Sequence, residues 1–222
     1  MANRILVLFF MVSFFWLGGC GTDEQLRPEI VYDYNPHPAG PWESSASAIG
    51  QQGTEDDLNI PVSWIPPGYL EKKWTAIVIH HSGTKSGNAA KFDKQHKEDK
   101  HWEGVGYDFV IGNGIDSGDG EVEVTFRWRR QMVGAHCHTG ASNWANKEAV
   151  GICLVGNFNH TEPRPRQMQS LVKLVRFLQK RYNIPTSRIY VHKTTPGARI
   201  TDCPGRKFSM ALLKRMLDAR GL

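Results

Sequence analysis

Three side chains that can bind a borderline-soft metal ion stand at strand or loop ends. His80 lies at the end of "AIVIHH", His192 closes "RIYVH", and Cys203 sits in "ITDCPG". Imidazole nitrogen and thiolate sulfur are preferred protein ligands of zinc, and a catalytic zinc takes three of them while leaving its fourth position to water. Two histidines and one cysteine meet that count. Their spacing is not the short C-x-x-C or H-x-x-x-H of a structural finger. On residue type alone, each therefore keeps a plainer reading: a lone histidine as a satisfied polar group, a lone cysteine as a small buried hydrophobe. A rival set lies in "AHCHT", where His136, Cys137 and His138 are consecutive and the two histidines share a face if the segment is extended. With a third ligand from elsewhere, that pair could hold zinc or copper.

The frame around these residues is set by the rest of the chain, which has 222 residues. It opens with one positive charge at Arg4, an apolar run from Ile5 to Leu17, and Gly18-Gly19-Cys20. That run is too short for a typical membrane-spanning helix and reads as a secretory signal. Leu17 to Cys20 resembles the lipobox of bacterial lipoproteins, in which cleavage precedes the cysteine and the cysteine carries lipid; the alternative is an ordinary signal cut near Gly19. The expectation is a lipoprotein-type signal over 1–19, and a tether over 20–59 that starts at a lipidated Cys20. The tether is rich in Pro, Gly, Ser, Gln and acids and too poor in aliphatic residues to hold a core. A single folded domain is expected over 60–222.

Charge narrows the partners. There are 27 Lys+Arg and 22 Asp+Glu; removing the signal takes only Arg4, leaving 26 − 22 = +4. A mild excess without a long basic run suits an acidic substrate or surface and does not point to nucleic acid. Besides Cys20 there remain Cys137, Cys153 and Cys203. Three thiols in an exported chain make a poor disulfide framework. Cys137 and Cys153 are expected to be free and mostly buried.

The elements that must position the three ligands can be read from periodicity. Thr75 to His80, Tyr107 to Ile111, Val150 to Val155 and Ile189 to His192 read as strands, and Val122 to Trp128 alternates like one. Ala89 to about Asp99 reads as a helix with polar faces. Pro165 opens a second helix, with Met168, Leu171, Val172, Val175 and Leu178 at helical spacing and Asn183-Ile184-Pro185 as its stop. A last helix would carry Phe208, Leu212, Leu213, Met216 and Leu217 inward and end at Gly221. Interleaved strands and helices give an α/β fold with a mixed central sheet flanked by helices. Along β alternation His80 and His81 must face opposite ways, so only one of the pair can join a given site.

The ordered words "IVIHHSGTK", "GVGYDFVIGNG", "MVGAHC", "AVGICLVGNF", "QMQSLVKLV" and "VHKTTPGARITDCPG" resemble the type 2 N-acetylmuramoyl-L-alanine amidases. That group includes peptidoglycan recognition proteins and phage lysozyme-amidases. The resemblance runs from about Thr75 to the C-terminus, and the family's mixed sheet agrees with the elements above. It implies zinc bound by His80, His192 and Cys203, with His81 in a supporting or packing place. It also implies a catalytic Tyr107, a Thr201 where members carry Lys or Thr, and His136 in contact with substrate.

The activity so implied is hydrolysis of the amide between N-acetylmuramic acid and L-alanine of the peptidoglycan stem peptide. It would be carried out by a monomer tethered to a membrane through Cys20 and facing the cell envelope. Gly21 points to the outer membrane if the producer has two. The alternative is a recognition lipoprotein that binds peptidoglycan without cutting it; relatives of that kind typically lack the ligand cysteine. Two departures stand out: the long turn "NGIDSGDGEVEVT", which either lengthens a hairpin or reshapes a groove wall, and residues 59–73, which have no clear counterpart and could cover part of the sheet.

Overall fold

The computed structural model describes residues 60–219. The signal, Cys20, the tether and Gly221 lie outside those residues. Within them the elements run β1 (Ala76–His81), α1 (Ala89–Lys100), β2 (Phe109–Asn113), β3 (Asp119–Val124), α2 (Phe126–Arg129), α3 (Trp144–Glu148), β4 (Ala149–Leu154), α4 (Pro165–Tyr182), β5 (Ile189–Val191) and α5 (Met210–Asp218). The strands form one sheet in the order β3-β2-β4-β1-β5. β1 is parallel to β4 and β5, β2 is parallel to β4, and only β3 runs antiparallel, paired with β2. This is the mixed sheet flanked by helices that the interleaved pattern predicts.

Parallel strands are covered on both faces and so read as continuous apolar runs. β1 and β4 are buried along nearly their whole length. One face carries Ile77, Ile79, Phe109, Ile111, Val150, Ile152 and Leu154, which join Leu171, Leu174, Val175, Leu178 and Leu213 of α4 and α5 in the main core. Fully burying such a side chain contributes roughly 1.5–3 kcal/mol. α4 starts cleanly: Pro165 takes its first position, and the Arg164 N–H donates to Gln167 Oε1 at 3.1 Å. Asn183 in the left-handed region ends it, as the Asn-Ile-Pro stop requires.

Residues 62–64 form a short 3-10 turn that turns Trp64 inward, where it is 3% exposed. Its ring meets Phe109 and Phe177, and its carbonyl accepts the Trp128 indole N–H at 2.9 Å. The segment without a clear counterpart therefore does cover the sheet.

Two expectations need correction. The alternation from Val122 to Trp128 breaks at Thr125, whose Oγ1 accepts from the Arg127 N–H and starts α2, so Phe126–Arg129 is helical. In α5, which Ser209 caps through the Leu212 N–H, Leu213 is buried but Leu212 is 40% exposed. Phe208 is inside as expected, yet it precedes the helix, so the inward stripe starts one register later than the spacing suggests.

Candidate functional site

β1, an interior strand, carries His80 near its C-terminal end, where its Cα pairs with Cys153 of β4. β5 ends one residue before His192, which opens a 3-10 turn over His192–Thr194. The loop carrying Cys203 is drawn to that turn by the Lys193 N–H donating to the Cys203 carbonyl at 2.9 Å. It is drawn to β1 by the His81 N–H donating to Cys203 Sγ at 3.4 Å. The ligand-capable atoms of His80, His192 and Cys203 consequently all lie within 4.8 Å of one another, and among the described residues no other group of three or more His, Cys, Asp or Glu converges in this way. His80 is 1% exposed, whereas His192 and Cys203 are half-buried, so the group opens on their side.

Burial sets the protonation of the group. It holds the His80 imidazole well below its ordinary range, and the nearby His136, His192 and His81 reinforce this. The His192 imidazole is also lowered by burial. Burial pushes the Cys203 thiol up to about 12 against the opposing pull of the His81 N–H and Lys193. Two uncharged imidazoles with free lone pairs and one thiol that only a bound cation would hold deprotonated make a donor set that fits a borderline-soft metal ion.

The other residues singled out in sequence fall around this trio. The Tyr107 ring is centred 5.3 Å from that of His80. Its phenol is pushed well above 10, first by burial and then by Cys153 and Cys203. Thr201 Oγ1 accepts from the Cys203 N–H at 3.2 Å, which places its hydroxyl beside the cysteine loop. His81 turns to the opposite face of β1: Nδ1 accepts from the Phe158 N–H at 3.0 Å, and its ring lies 5.8 Å from that of Phe158.

His136 lies beneath the trio and is 7% exposed, its two ring nitrogens within reach of His80 Nε2 and the Ala149 carbonyl. The rival set in "AHCHT" does not assemble, because His138 is exposed while His136 and Cys137 point inward. Cys137 and Cys153 are free and buried, as expected.

Sequence reasoning missed Asn146, whose Oδ1 accepts from the backbone N–H groups of both His136 and Cys137 at 2.9 and 2.8 Å. It also missed Asp108, a buried carboxyl that accepts from the Gly151 N–H at 2.8 Å and whose Oδ1 has no partner among the described residues. No sequence signal marks Asn146. Asp108 stands out only in retrospect, as an acid beside an apolar strand. A cavity of about 480 Å³ lies alongside, bordered by Gly83, Asn113, Ile115, Phe158 and Arg164. None of His80, His192 and Cys203 lines it, and Ile115 of the long hairpin turn supplies part of its wall.

A family model described as N-acetylmuramoyl-L-alanine amidase matches residues 70–206. The chain belongs to this family. Among solved structures it is similar to the endolysin N-acetylmuramoyl-L-alanine amidase LysCS of Clostridium intestinale, at 32% identity over 67% of this chain and 86% of that one, with a TM-score of 0.55. It is similar as well to the amidase LysC of the same organism, at 31% identity over 72% of this chain and 96% of that one, with a TM-score of 0.56. A peptidoglycan recognition protein of Trichoplusia ni is 24% identical over 146 residues, which is 60% of this chain and 74% of the relative. The likeness extends both to amidases and to a recognition protein.

Proposed function

We propose that this family member is a zinc-dependent N-acetylmuramoyl-L-alanine amidase that hydrolyses the amide between N-acetylmuramic acid and L-alanine of the peptidoglycan stem. The observation that carries the reading is the convergence of His80, His192 and Cys203 within 4.8 Å, beside Tyr107 and with two of the three half-exposed. His80, His192 and Cys203 would hold the ion. Zinc supplies, when bound, a Lewis acid toward a carbonyl and a lowered pKa for water.

The chain's own groups complete the chemistry. A Tyr107 phenol held protonated by burial is a hydrogen-bond donor at any working pH, suited to an oxyanion developing near His80. The Thr201 hydroxyl adds a second, neutral donor. His80 sits on a buried strand and Cys203 on a loop tied at two points, so ligands and donors are held in place before substrate arrives. The same reading has the chain act as a monomer at the cell envelope, tethered through lipid on Cys20, with peptidoglycan or its fragments as the partner.

The second reading, a recognition protein that binds peptidoglycan without cutting it, draws on the likeness to the Trichoplusia ni protein. The presence of Cys203 in the converging group favours the enzyme. The test is incubation with defined muropeptides, with and without chelator and restored zinc, and mass spectrometry of the products. The amidase releases the saccharide and a peptide that begins at L-alanine, stops with chelator and recovers with zinc. Muropeptide that is bound but intact in the zinc-loaded sample assigns the chain to recognition.

A further inference from the structure

The ring of His136 is held in a slot that the rest of the chain keeps clear. A Cβ on Gly151 would come within 2.4 Å of the His136 ring, and one on Gly134 within 2.5 Å, closer than real carbons approach. Both glycines therefore leave room for this imidazole. The backbone of His136 is pinned at the same time, because Asn146 Oδ1 takes the N–H groups of His136 and Cys137. Within that slot each ring nitrogen has one partner. Nε2 is 3.2 Å from the Ala149 carbonyl oxygen, and Nδ1 is 3.1 Å from His80 Nε2.

A carbonyl can only accept, so His136 Nε2 carries the proton. Both rings are buried, and no carboxylate stands among their hydrogen-bond partners to compensate a buried imidazolium, so each is a neutral imidazole with a single N–H. His136 Nδ1 must then accept, and His80 Nε2 must donate to it. The remaining nitrogen of His80, Nδ1, is left with a free lone pair, and it is the nitrogen that faces Cys203 Sγ at 3.7 Å. We propose that His136 is a positioning residue: through the order Ala149 carbonyl, His136, His80, it fixes His80 as the Nε2–H tautomer and turns the Nδ1 lone pair toward His192 and Cys203. Metal-binding histidines usually have their second nitrogen anchored in this manner, and removing the anchor weakens metal binding by about 10–100-fold. The consequence for zinc rests on the amidase reading above; the tautomer itself does not.

The test keeps the two apart. In the purified full chain with ¹⁵N-labelled histidines, freed of metal, long-range ¹H–¹⁵N correlations identify which ring nitrogen of each histidine is protonated. The proposal requires Nε2–H on both His80 and His136. A proton on Nδ1 of either overturns it, whether or not the chain binds zinc. Zinc affinity by chelator competition is then compared among wild type, His136→Phe and His136→Asn. The Phe variant fills the slot without an acceptor and should bind zinc about 10–100-fold more weakly. The Asn variant returns an acceptor oxygen close to the former Nδ1 and should recover most of that loss. Wild-type affinity in His136→Phe, or equal loss in both variants, contradicts the proposal. A wild-type chain that binds no zinc but shows the required tautomers overturns the metal reading and leaves this one standing.

Discussion

On β1 the side chains that point toward α4 and α5 are Ile77 and Ile79; those that point the other way are Ala76, Val78 and His80. On β4 the division is the same, with Val150, Ile152 and Leu154 on one side and Ala149, Gly151 and Cys153 on the other. The first face is closed by two helices into a continuous apolar core. The second is divided into two smaller clusters, one around Phe92 and Phe126 and one around Val78 and Cys137, and it holds a set of buried polar groups: His80, His136, Asn146 and Asp108. An apolar face gains stability in proportion to the area it buries. A face with buried polar groups must hold each one by hydrogen bonds or in its uncharged form, which costs stability. The sheet thus divides its work: one face supplies the stability, and the other uses some of it to hold donors, acceptors and lone pairs in fixed directions.

Substitutions that separate the faces test this division, beginning with the largest effect. Cys203→Ala should remove stoichiometric zinc and bring muropeptide cleavage to background, yet change the stability of the metal-free chain by only about 1 kcal/mol. Zinc content, turnover and denaturant midpoint together check this. Ile152→Ala on the opposite face should do the reverse. It should cost about 2–5 kcal/mol of stability while the folded fraction keeps its zinc affinity, read from urea unfolding and chelator competition. If Ile152→Ala loosened zinc as much as it destabilised the fold, the two faces would not be separable.

Tyr107→Phe probes the second face without touching a ligand. Loss of one preorganised donor to a developing oxyanion lowers kcat by about 10²–10³, and zinc content should stay at wild-type level. A loss of zinc with that change would instead make Tyr107 part of the support for the ligands.

The smallest effect concerns Asp108, whose carboxyl is pushed up to about 7 by burial, against opposing pulls from the Gly151 N–H, Lys72 and Arg127. Because its folded pKa lies above the unfolded value, the native state holds this proton more tightly. The stability it contributes is present at low pH and is lost as pH rises through about 7. Relative to Asp108→Asn, the wild type should therefore lose up to about 3 kcal/mol between pH 5 and pH 8. Denaturant midpoints of both proteins at the two pH values measure it; parallel behaviour would show that Asp108 is not held protonated.

The two faces also differed in how much of them could be read from sequence. The core face was legible because its signals are simple: continuous apolar runs mark the buried strands β1 and β4, and apolar positions three or four apart mark the inward side of α4. That reading slipped at two caps: Thr125 turns an apparently alternating run into α2, and Ser209 starts α5 after Phe208 and leaves Leu212 exposed. The polar face follows no period. The three residues that converge on it stand out only as two histidines at the ends of apolar runs and a cysteine in a loop, and their assembly depends on loop ties such as that between Lys193 and Cys203. His136 was legible as a residue near the site but not as the support of His80, since that role depends on the space left by Gly134 and Gly151. A glycine inside an apolar strand is a sign of close approach, and "AVGIC" carries that sign without saying what approaches.

The most direct test of the account is zinc K-edge X-ray absorption of the purified chain loaded with one equivalent of zinc, with and without Cys203→Ala. The account predicts two histidine nitrogens at about 2.0–2.1 Å, one sulfur at about 2.3 Å and a remaining position filled by an exchangeable oxygen, with the sulfur lost in the variant. A fourth protein ligand closing the site, or a spectrum unchanged by Cys203→Ala, would contradict it.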